Sequence, residues 1–177
     1  TVDFDPGPAV NNLTAPFNVA NQIAMGMFIK KTNSAGKLLW AKSISNSADP
    51  VGLSMKLDSL NNIYIAGEFN GTVDFNPGAG VFNLSSTGTN YNTDAFILKL
   101  DGIGNFIFAQ SIGGVQWDEA KSIAIDAANN VYVMGLYSGV VDLNPGAGVF
   151  NVGLVSLTKF HTFLIKLNSA GVFQWGK

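Results

Sequence analysis

The chain has 177 residues, 47% of them hydrophobic and only 12% charged, with a formal net charge of −2. All ten basic residues are lysine, which argues against nucleic acid, a partner normally held by a basic face with arginine forks. The lack of cysteine excludes disulfides, thiolate metal sites and cysteine nucleophiles, and leaves the redox compartment open. The apolar content is enough for a sizeable core, and no run is long and apolar enough to predict a transmembrane segment. Solubility falls to Asn, Ser, Thr and Gly, a polar, low-charge surface associated with secreted bacterial repeat proteins.

The chain opens on Val2-Asp3-Phe4-Asp5-Pro6-Gly7-Pro8-Ala9-Val10. The pattern returns as Val73-Asp74-Phe75-Asn76-Pro77-Gly78 and as Val141-Asp142-Leu143-Asn144-Pro145-Gly146. An internal repeat decides the architecture before anything else does. Asp58 and Asp126, Gly67 and Gly135, and Asp74 and Asp142 stand 68 residues apart. Phe28, Phe96 and Phe163 correspond at steps of 68 and 67, as do Trp40, Phe108 and Trp175. Asp3 to Asp74 is 71, so the first copy carries extra residues between Pro8 and Met27, where a surface loop would absorb them. A chain that starts inside one unit and stops inside another is expected to be an excerpt of something longer.

In chain order, strands are expected at Met27–Lys31 and Leu38–Ile44 around a Thr32–Lys37 turn. Leu53–Gly67 carries the first strand pair of the next unit, followed by the Val73–Leu84 motif. Ala95–Leu100, the turn Asp101–Asn105 and Phe106–Ile112 follow. In the last unit Lys121–Asp126 alternates apolar and polar, the mark of a half-buried strand. Ala127–Asn130 reads as a hairpin turn, because Asn tolerates positive φ. Val131–Tyr137 is the β-branched and aromatic return strand. Phe163–Leu167, the turn Asn168–Gly171 and Val172–Trp175 complete the unit. No stretch has the period of an amphipathic helix.

Four antiparallel strands per unit predict an all-β fold of β-propeller blades, in repeats of about 68 residues. The boundaries read as a partial blade over 1–50 (insertion hairpin plus strands three and four), a blade over 51–114 and a blade over 115–177. That amounts to a partial ring of about two and a half blades, fewer than the roughly four that a ring needs, so further chain or further copies are implied. A β-sandwich and a β-solenoid are the alternatives, although a solenoid coil repeats at about 20–30 residues.

Candidate sites are few. In the repeated motif, Pro followed by Gly specifies a turn, and the preceding Asp5, Asn76 or Asn144 can cap its backbone. The motif is therefore expected to be a hairpin inserted between strands two and three, projecting from the core where a partner would meet it first. The alternative is calcium, because Asp3 and Asp5, Asp74 and Asn76, and Asp142 and Asn144 set hard oxygens two residues apart. No other cofactor is expected. Gly67 and Gly135 suit either a close approach near a central channel or a bulge. Trp40, Phe108 and Trp175 read as packing anchors between blades. Asp58 and Asp126 read as turn caps, and Asp94, Asp101, Asp118 and Glu119 fall near strand ends. Trp117-Asp118-Glu119 is the one departure from the repeat that could carry acid–base chemistry. His161 has no second histidine to share a metal, and no nucleophile elbow is present. Asn12-Leu13-Thr14, Asn70-Gly71-Thr72 and Asn83-Leu84-Ser85 fit the N-glycosylation pattern, as chance allows in so Asn-rich a chain.

Ser122–Gly135, read S-I-A-I-D-A-A-N-N-V-Y-V-M-G, and Asp94–Gly114, read D-A-F-I-L-K-L-D-G-I-G-N-F-I-F-A-Q-S-I-G-G, together resemble the bacterial SBBP β-propeller repeat family. Leu53–Gly67 with Phe28–Ser45 is a fair match, and Phe163–Trp175 covers part of another unit. Ser45-Asn46 replaces Gly113-Gly114, and Pro50 stands where Asp118 is, so the first blade connection is expected to differ. The V-D-F-[DN]-P-G insertion is similar to a variant in secreted and surface proteins of gliding bacteria. The resemblance implies a non-catalytic, extracellular or cell-surface scaffold for binding or adhesion, with a protein, a glycan or further copies of itself as partner. A structural repeat of a fibre or surface layer is one alternative, and the propeller part of a polysaccharide lyase or hydrolase is another. The family has no shared enzymatic activity, so the resemblance speaks to fold more than to function.

Overall fold

A computed structural model describes residues 1–13, 26–44, 50–88, 92–153 and 159–177. The extra residues of the first copy, the Ser45-Asn46 departure and Thr14 of the first sequon lie wholly or partly outside these. Sixteen strands form among the described residues, with no helix. The first two, β1 (Val2–Asp3) and β2 (Asn12–Leu13), make a small hairpin. Strands β3 (Met27–Thr32) and β4 (Leu38–Ile44) pair as a two-stranded sheet. The middle unit holds β5 (Val51–Leu57), β6 (Ile63–Phe69), the hairpin β7 (Thr72–Asp74) and β8 (Asn83–Ser85), then β9 (Asp94–Leu100) and β10 (Phe106–Gly114). The last unit repeats the order as β11 (Asp118–Ile125), β12 (Val131–Ser138), the hairpin β13 (Val140–Asp142) and β14 (Asn151–Gly153), β15 (Phe160–Leu167) and β16 (Phe173–Gly176).

Within each unit the main strands form an antiparallel meander, β5-β6-β9-β10 and β11-β12-β15-β16. Period-two side-chain alternation gives the middle sheet two apolar faces, so it works as the filling between two cores. Ile63, Ile65, Phe96, Leu98 and Leu100 face one cluster with Met27, Ile29 and Ile44 of the first sheet. Tyr64, Ala66, Ala95 and Ile97 face the other, with Ile123, Val131, Val133, Phe163, Ile165 and Leu167 of the last. Every residue of β9 is therefore buried. The chain is an all-β repeat fold in which successive sheets pack face to face.

Turn chemistry sets the registers. Asp58 Oδ1 accepts the amides of Leu60 and Asn62, both at 2.9 Å, while Asn61 takes φ 62°. Asp126 does the same for Ala128 and Asn130, with Asn129 at φ 59°. These carboxylates are turn caps, as their recurrence suggests.

Two strand starts lie three residues from the sequence reading, each for a physical reason. Strand β11 starts at Asp118 rather than Lys121, because a register shift between Ala120 and Ser122 breaks the alternation that marks a strand. Strand β15 starts at Phe160 rather than Phe163, where three consecutive exposed residues carry no pattern. Gly67 and Gly135 sit opposite such register shifts. A Cβ on Gly67 would collide with the Val51 carbonyl, and one on Gly135 with the Glu119 carbonyl and the Phe163 ring. They serve a bulge inside the sheet.

The inserted hairpin is a correction to the sequence reading: its stem packs into the core and only its tip stays exposed. Val73, Phe75, Val141 and Leu143 are all fully buried. Strand β13 pairs with β10 of the preceding unit, Gly113 opposite Asp142 and Gly114 opposite Val141, which joins β13 and β14 to the middle sheet. A Cβ at Gly114 would strike the Val140 carbonyl, so glycine is what lets the two strands approach. The β13–β14 hairpin is a clasp between the middle and last units.

Candidate functional site

The three motif loops share one internal geometry. Asp74 Oδ1 accepts the amides of Asn76 at 3.0 Å and Phe82 at 2.8 Å, and Asn76 Oδ1 accepts that of Gly78 at 2.8 Å. Asp142 holds Asn144 and Phe150, with Asn144 holding Gly146. Asp3 holds Asp5 and Asn11, with Asp5 holding Gly7. These N–H groups keep the Asp3 carboxyl below its usual range. The donor set does not fit a calcium ion. The Oδ1 atoms that would bind it already face N–H protons, whereas calcium asks for about six to eight oxygens. Among the described residues no group of three or more His, Asp or Glu side chains gathers there or elsewhere. Recurrence of Asp and Asn is explained by the loop backbone, and Phe75 packs the loop onto Phe96 at 4.8 Å.

The blade anchors lie between sheets. The Trp40 ring covers Gly104 and the Phe108 ring covers Gly171, each in the turn of the following unit; a Cβ at these glycines would stand 3.3 Å and 3.0 Å from the rings. Trp175, the third member, is half-buried and lies 6.3 Å from Tyr132.

Two acids sit where β10, β11 and the clasp meet. Asp94 and Asp118 are 1% and 0% exposed. Asp94 Oδ2 accepts the Thr87 amide at 3.0 Å, and Asp118 Oδ2 accepts the Gly114 amide at 2.6 Å. Asp118 Oδ1 has no partner. Burial pushes Asp94 up to about 6 against the opposing Thr87 donors. Burial pushes Asp118 up to about 7, the Gly114 amide opposing it and the Asp94 charge adding to it. Such values suit proton transfer, but both side chains are almost wholly buried and hold backbone amides, the geometry of a structural knot. Glu119, also buried, pairs with Lys121 at 2.7 Å. Asp101 caps its own turn through the amides of Ile103 and Asn105.

Directly beside the knot lies an exposed aromatic surface, at the sheet end opposite the Asp-capped turns. Trp117 is 42% exposed and meets Phe160, 56% exposed, edge to face at 5.5 Å. Glu68 Oε2 accepts both Trp117 Nε1 at 2.8 Å and Thr93 Oγ1 at 2.9 Å, which fixes the indole. His161 is exposed and packs on Tyr137 at 5.4 Å. Trp117 belongs to the stretch that departs from the repeat, and Phe160 stands where the preceding unit has Thr93. The repeat needs neither ring. Such a surface offers flat apolar faces beside a fixed carboxylate, suited to a sugar ring or to apolar side chains. That departure from the repeat was the available sequence signal; the pairing of Trp117 with Phe160 was not visible, since the two lie far apart in the chain.

No family model matches the chain. It is 28% identical over 167 residues to an uncharacterized WD repeat-containing protein, L264, of Acanthamoeba polyphaga mimivirus, a match covering 82% of this chain and 12% of that protein. It is 30% identical over 122 residues to the regulatory protein FlaEY of Caulobacter vibrioides, covering 67% of this chain and 12% of the relative. The chain thus spans 12% of the length of each of these curated relatives. WD repeats run to about 40–45 residues and four strands per propeller blade. Residues 70–93, between β6 and β9, account for 24 of the 68 in the middle unit, and the remaining 44 match that length. The fold is β-propeller-like, with a hairpin inserted between the second and third strands of the middle and last units.

Proposed function

We propose that the chain is a non-catalytic β-propeller segment, of the SBBP type, that serves as a binding scaffold at the surface of, or outside, a bacterial cell. One observation carries the reading: Trp117 and Phe160 stay exposed as a pair although the repeat requires neither. Large aromatics held rigid at a surface are common anchors for a partner. A protein or a glycan is the partner class, with adhesion as the broader role. The WD repeat-containing relative supports the scaffold part of this reading.

Crosslinking from residue 117 on intact cells, followed by mass spectrometry, tests it. The expected result is one discrete protein or glycan class, lost in Phe160→Ala. Polysaccharide turnover that disappears in a single carboxylate variant such as Glu68→Gln would replace this reading with an enzymatic one.

A further inference from the structure

Strand β10 meets the last unit at two places along its length. Its C-terminal end pairs with β13 through Gly113 and Gly114. Nearer its start, the Phe108 ring covers Gly171, and Gln110 Nε2 donates to the Gly171 carbonyl at 3.0 Å. Along this stretch two clefts of about 270 and 230 Å³ open between the middle and last units. Gln110, the turn at 170–173 and the last motif loop line the first; Asp94, Ser111 and the same loop line the second. Asn144 and Gly146 belong to both, so the clefts run into one groove.

Two amides in its walls are fixed but unspent. Gln110 Oε1 is buried with no hydrogen-bond partner, and Nε2, held by the Gly171 carbonyl, keeps the amide from turning to find one. A buried acceptor left unmet is costly, and a donor brought by a ligand removes that cost. Asn144 Oδ1 accepts the Gly146 amide at 2.9 Å, which leaves Nδ2 as a donor without a partner among the described residues. A Cβ on Gly148 would stand 2.5 Å from that nitrogen, so glycine keeps the space beside it open. The repeat does not ask for the glutamine: the first unit has Lys42 at this place and the last has Lys177, steps of 68 and 67 away. The half-buried Phe173 ring, 5.4 Å from Phe150, supplies an apolar wall. Asp94 and Asp142 border the second cleft, and among the described residues no lysine lines either one, so the groove offers an anion no counter-charge.

We infer that this groove binds a neutral sugar, two linked units of a glycan with one unit in each cleft, a hydroxyl accepting from Asn144 Nδ2 and another donating to Gln110 Oε1. Hydroxyls both donate and accept, which is what an amide oxygen on one unit and an amide nitrogen on the other require. The apolar face of a sugar ring packs on Phe173. Each cleft is smaller than the roughly 300 Å³ at which pockets for drug-sized ligands begin, so it suits one small ring. The site is separate from the Trp117–Phe160 surface and does not rest on the reading given to that surface.

Two-dimensional amide NMR of the 177-residue protein, titrated with maltose, cellobiose, lactose and diacetylchitobiose, tests this, with an unsulfated hyaluronan disaccharide as the anionic counterpart. At least one neutral disaccharide should shift the side-chain amide signals of Gln110 and Asn144 saturably at millimolar concentration, and the hyaluronan disaccharide should not. Asn144→Asp keeps the cap on Gly146, as Asp5 caps Gly7 in the first copy, and removes the donor; it should weaken binding about 10-fold. Gln110→Lys, which installs the residue of the other two units, should abolish binding, while Asn76→Asp, the same loop change in the middle unit, should leave it unmoved. Circular dichroism melts check that each variant folds. No saturable shift with any of the four sugars, equal binding of the hyaluronan disaccharide, or binding indifferent to Asn144→Asp would each overturn the inference. Shifts centred on Trp117 and Phe160 would overturn it too, while leaving the reading of that surface standing.

Discussion

The two junctions between sheets use corresponding residues and bury them differently. At the second, Ile123 is 1% exposed and its amide reaches Ser54 Oγ of β5 at 3.3 Å. At the first, its counterpart Met55 is 57% exposed, and a cavity of about 250 Å³ opens among Met27, Ile29, Met55 and Ile65. The second junction also has the β10–β13 clasp and the Asp94–Asp118 knot. The difference lies in the neighbour. Strand β11 is covered by β5 and β6, the first two strands of the unit before it, whereas the main strands described before β5 are β3 and β4, the third and fourth of their unit. The first strand of a unit is thus buried by the preceding unit more than by its own sheet, which is how stability in a repeat array comes to depend on interfaces between neighbours.

The largest expected contrast is between corresponding phenylalanines. Phe163→Ala, in the buried second junction, should cost about 3–5 kcal/mol, while Phe28→Ala should stay near 1 kcal/mol or less. Urea midpoints of the two variants measure it; equal losses would remove the distinction between the junctions.

Glycines come next. Gly135→Ala drives a methyl into the Glu119 carbonyl and the Phe163 ring, and should cost roughly 1–3 kcal/mol or more through overpacking. Gly36→Ala meets open space and carries only its positive φ, about 1 kcal/mol. Thermal melts of both variants compare a bulge under the second junction with an uncovered turn.

The acid knot gives a pH signature that the first junction lacks. Asp118 and Asp94 titrate near 7 and 6 when folded, above their unfolded values, so between about pH 4 and 7 the native state holds more protons than the unfolded one. Their contribution is therefore fully present at the acid end and is lost as pH rises through this window. Asp58, Asp101 and Asp126 act oppositely. Burial raises Asp58 but is outweighed by its Asn62 and Leu60 donors, and the turn donors of Asp101 and Asp126 hold those carboxyls low as well, so stability falls as pH drops below the ordinary carboxylate range. Asp118→Asn keeps an acceptor for the Gly114 amide and should raise the melting midpoint at pH 8 while leaving it nearly unchanged near pH 4. A parallel shift at both pH values would place the effect in packing instead.

The smallest expected effect concerns the motif loops. Millimolar calcium should leave the melting midpoint unmoved at either junction, because Asp74 and Asp142 already spend Oδ1 on backbone amides. A saturable rise abolished by Asp142→Ala would show that the loops rearrange around the ion.

Much of the fold was legible because its signals are local. The Asp-capped hairpin at Asp126 to Asn130, the apolar alternation of Lys121–Asp126 and the β-branched, aromatic run of β12 depend on nearest neighbours in the chain. Recurrence of Phe28, Phe96 and Phe163 announced a shared packing role without saying that one of the three would be left uncovered. The start of β11 was missed because a bulge erases period two, and the clasp was misread because Gly113 and Gly114 reveal a pairing only once Val141 and Asp142 lie beside them. Asp94 looked like an ordinary strand-end acid and Asp118 stood out only as part of the Trp117-Asp118-Glu119 departure; the burial of both was hidden, since burial is a property of what surrounds a group.

By itself the sequence determined the repeat, its length, the antiparallel strand order within a unit and the residues that close each turn. These follow from backbone stereochemistry and side-chain period, which act over a few residues. Only the tertiary structure decided that the last unit's hairpin fastens it to the unit before, that two carboxylates are buried together, and that Trp117 and Phe160 form one surface. Each of those depends on desolvation or contact between groups distant in the chain, and no short-range pattern encodes it.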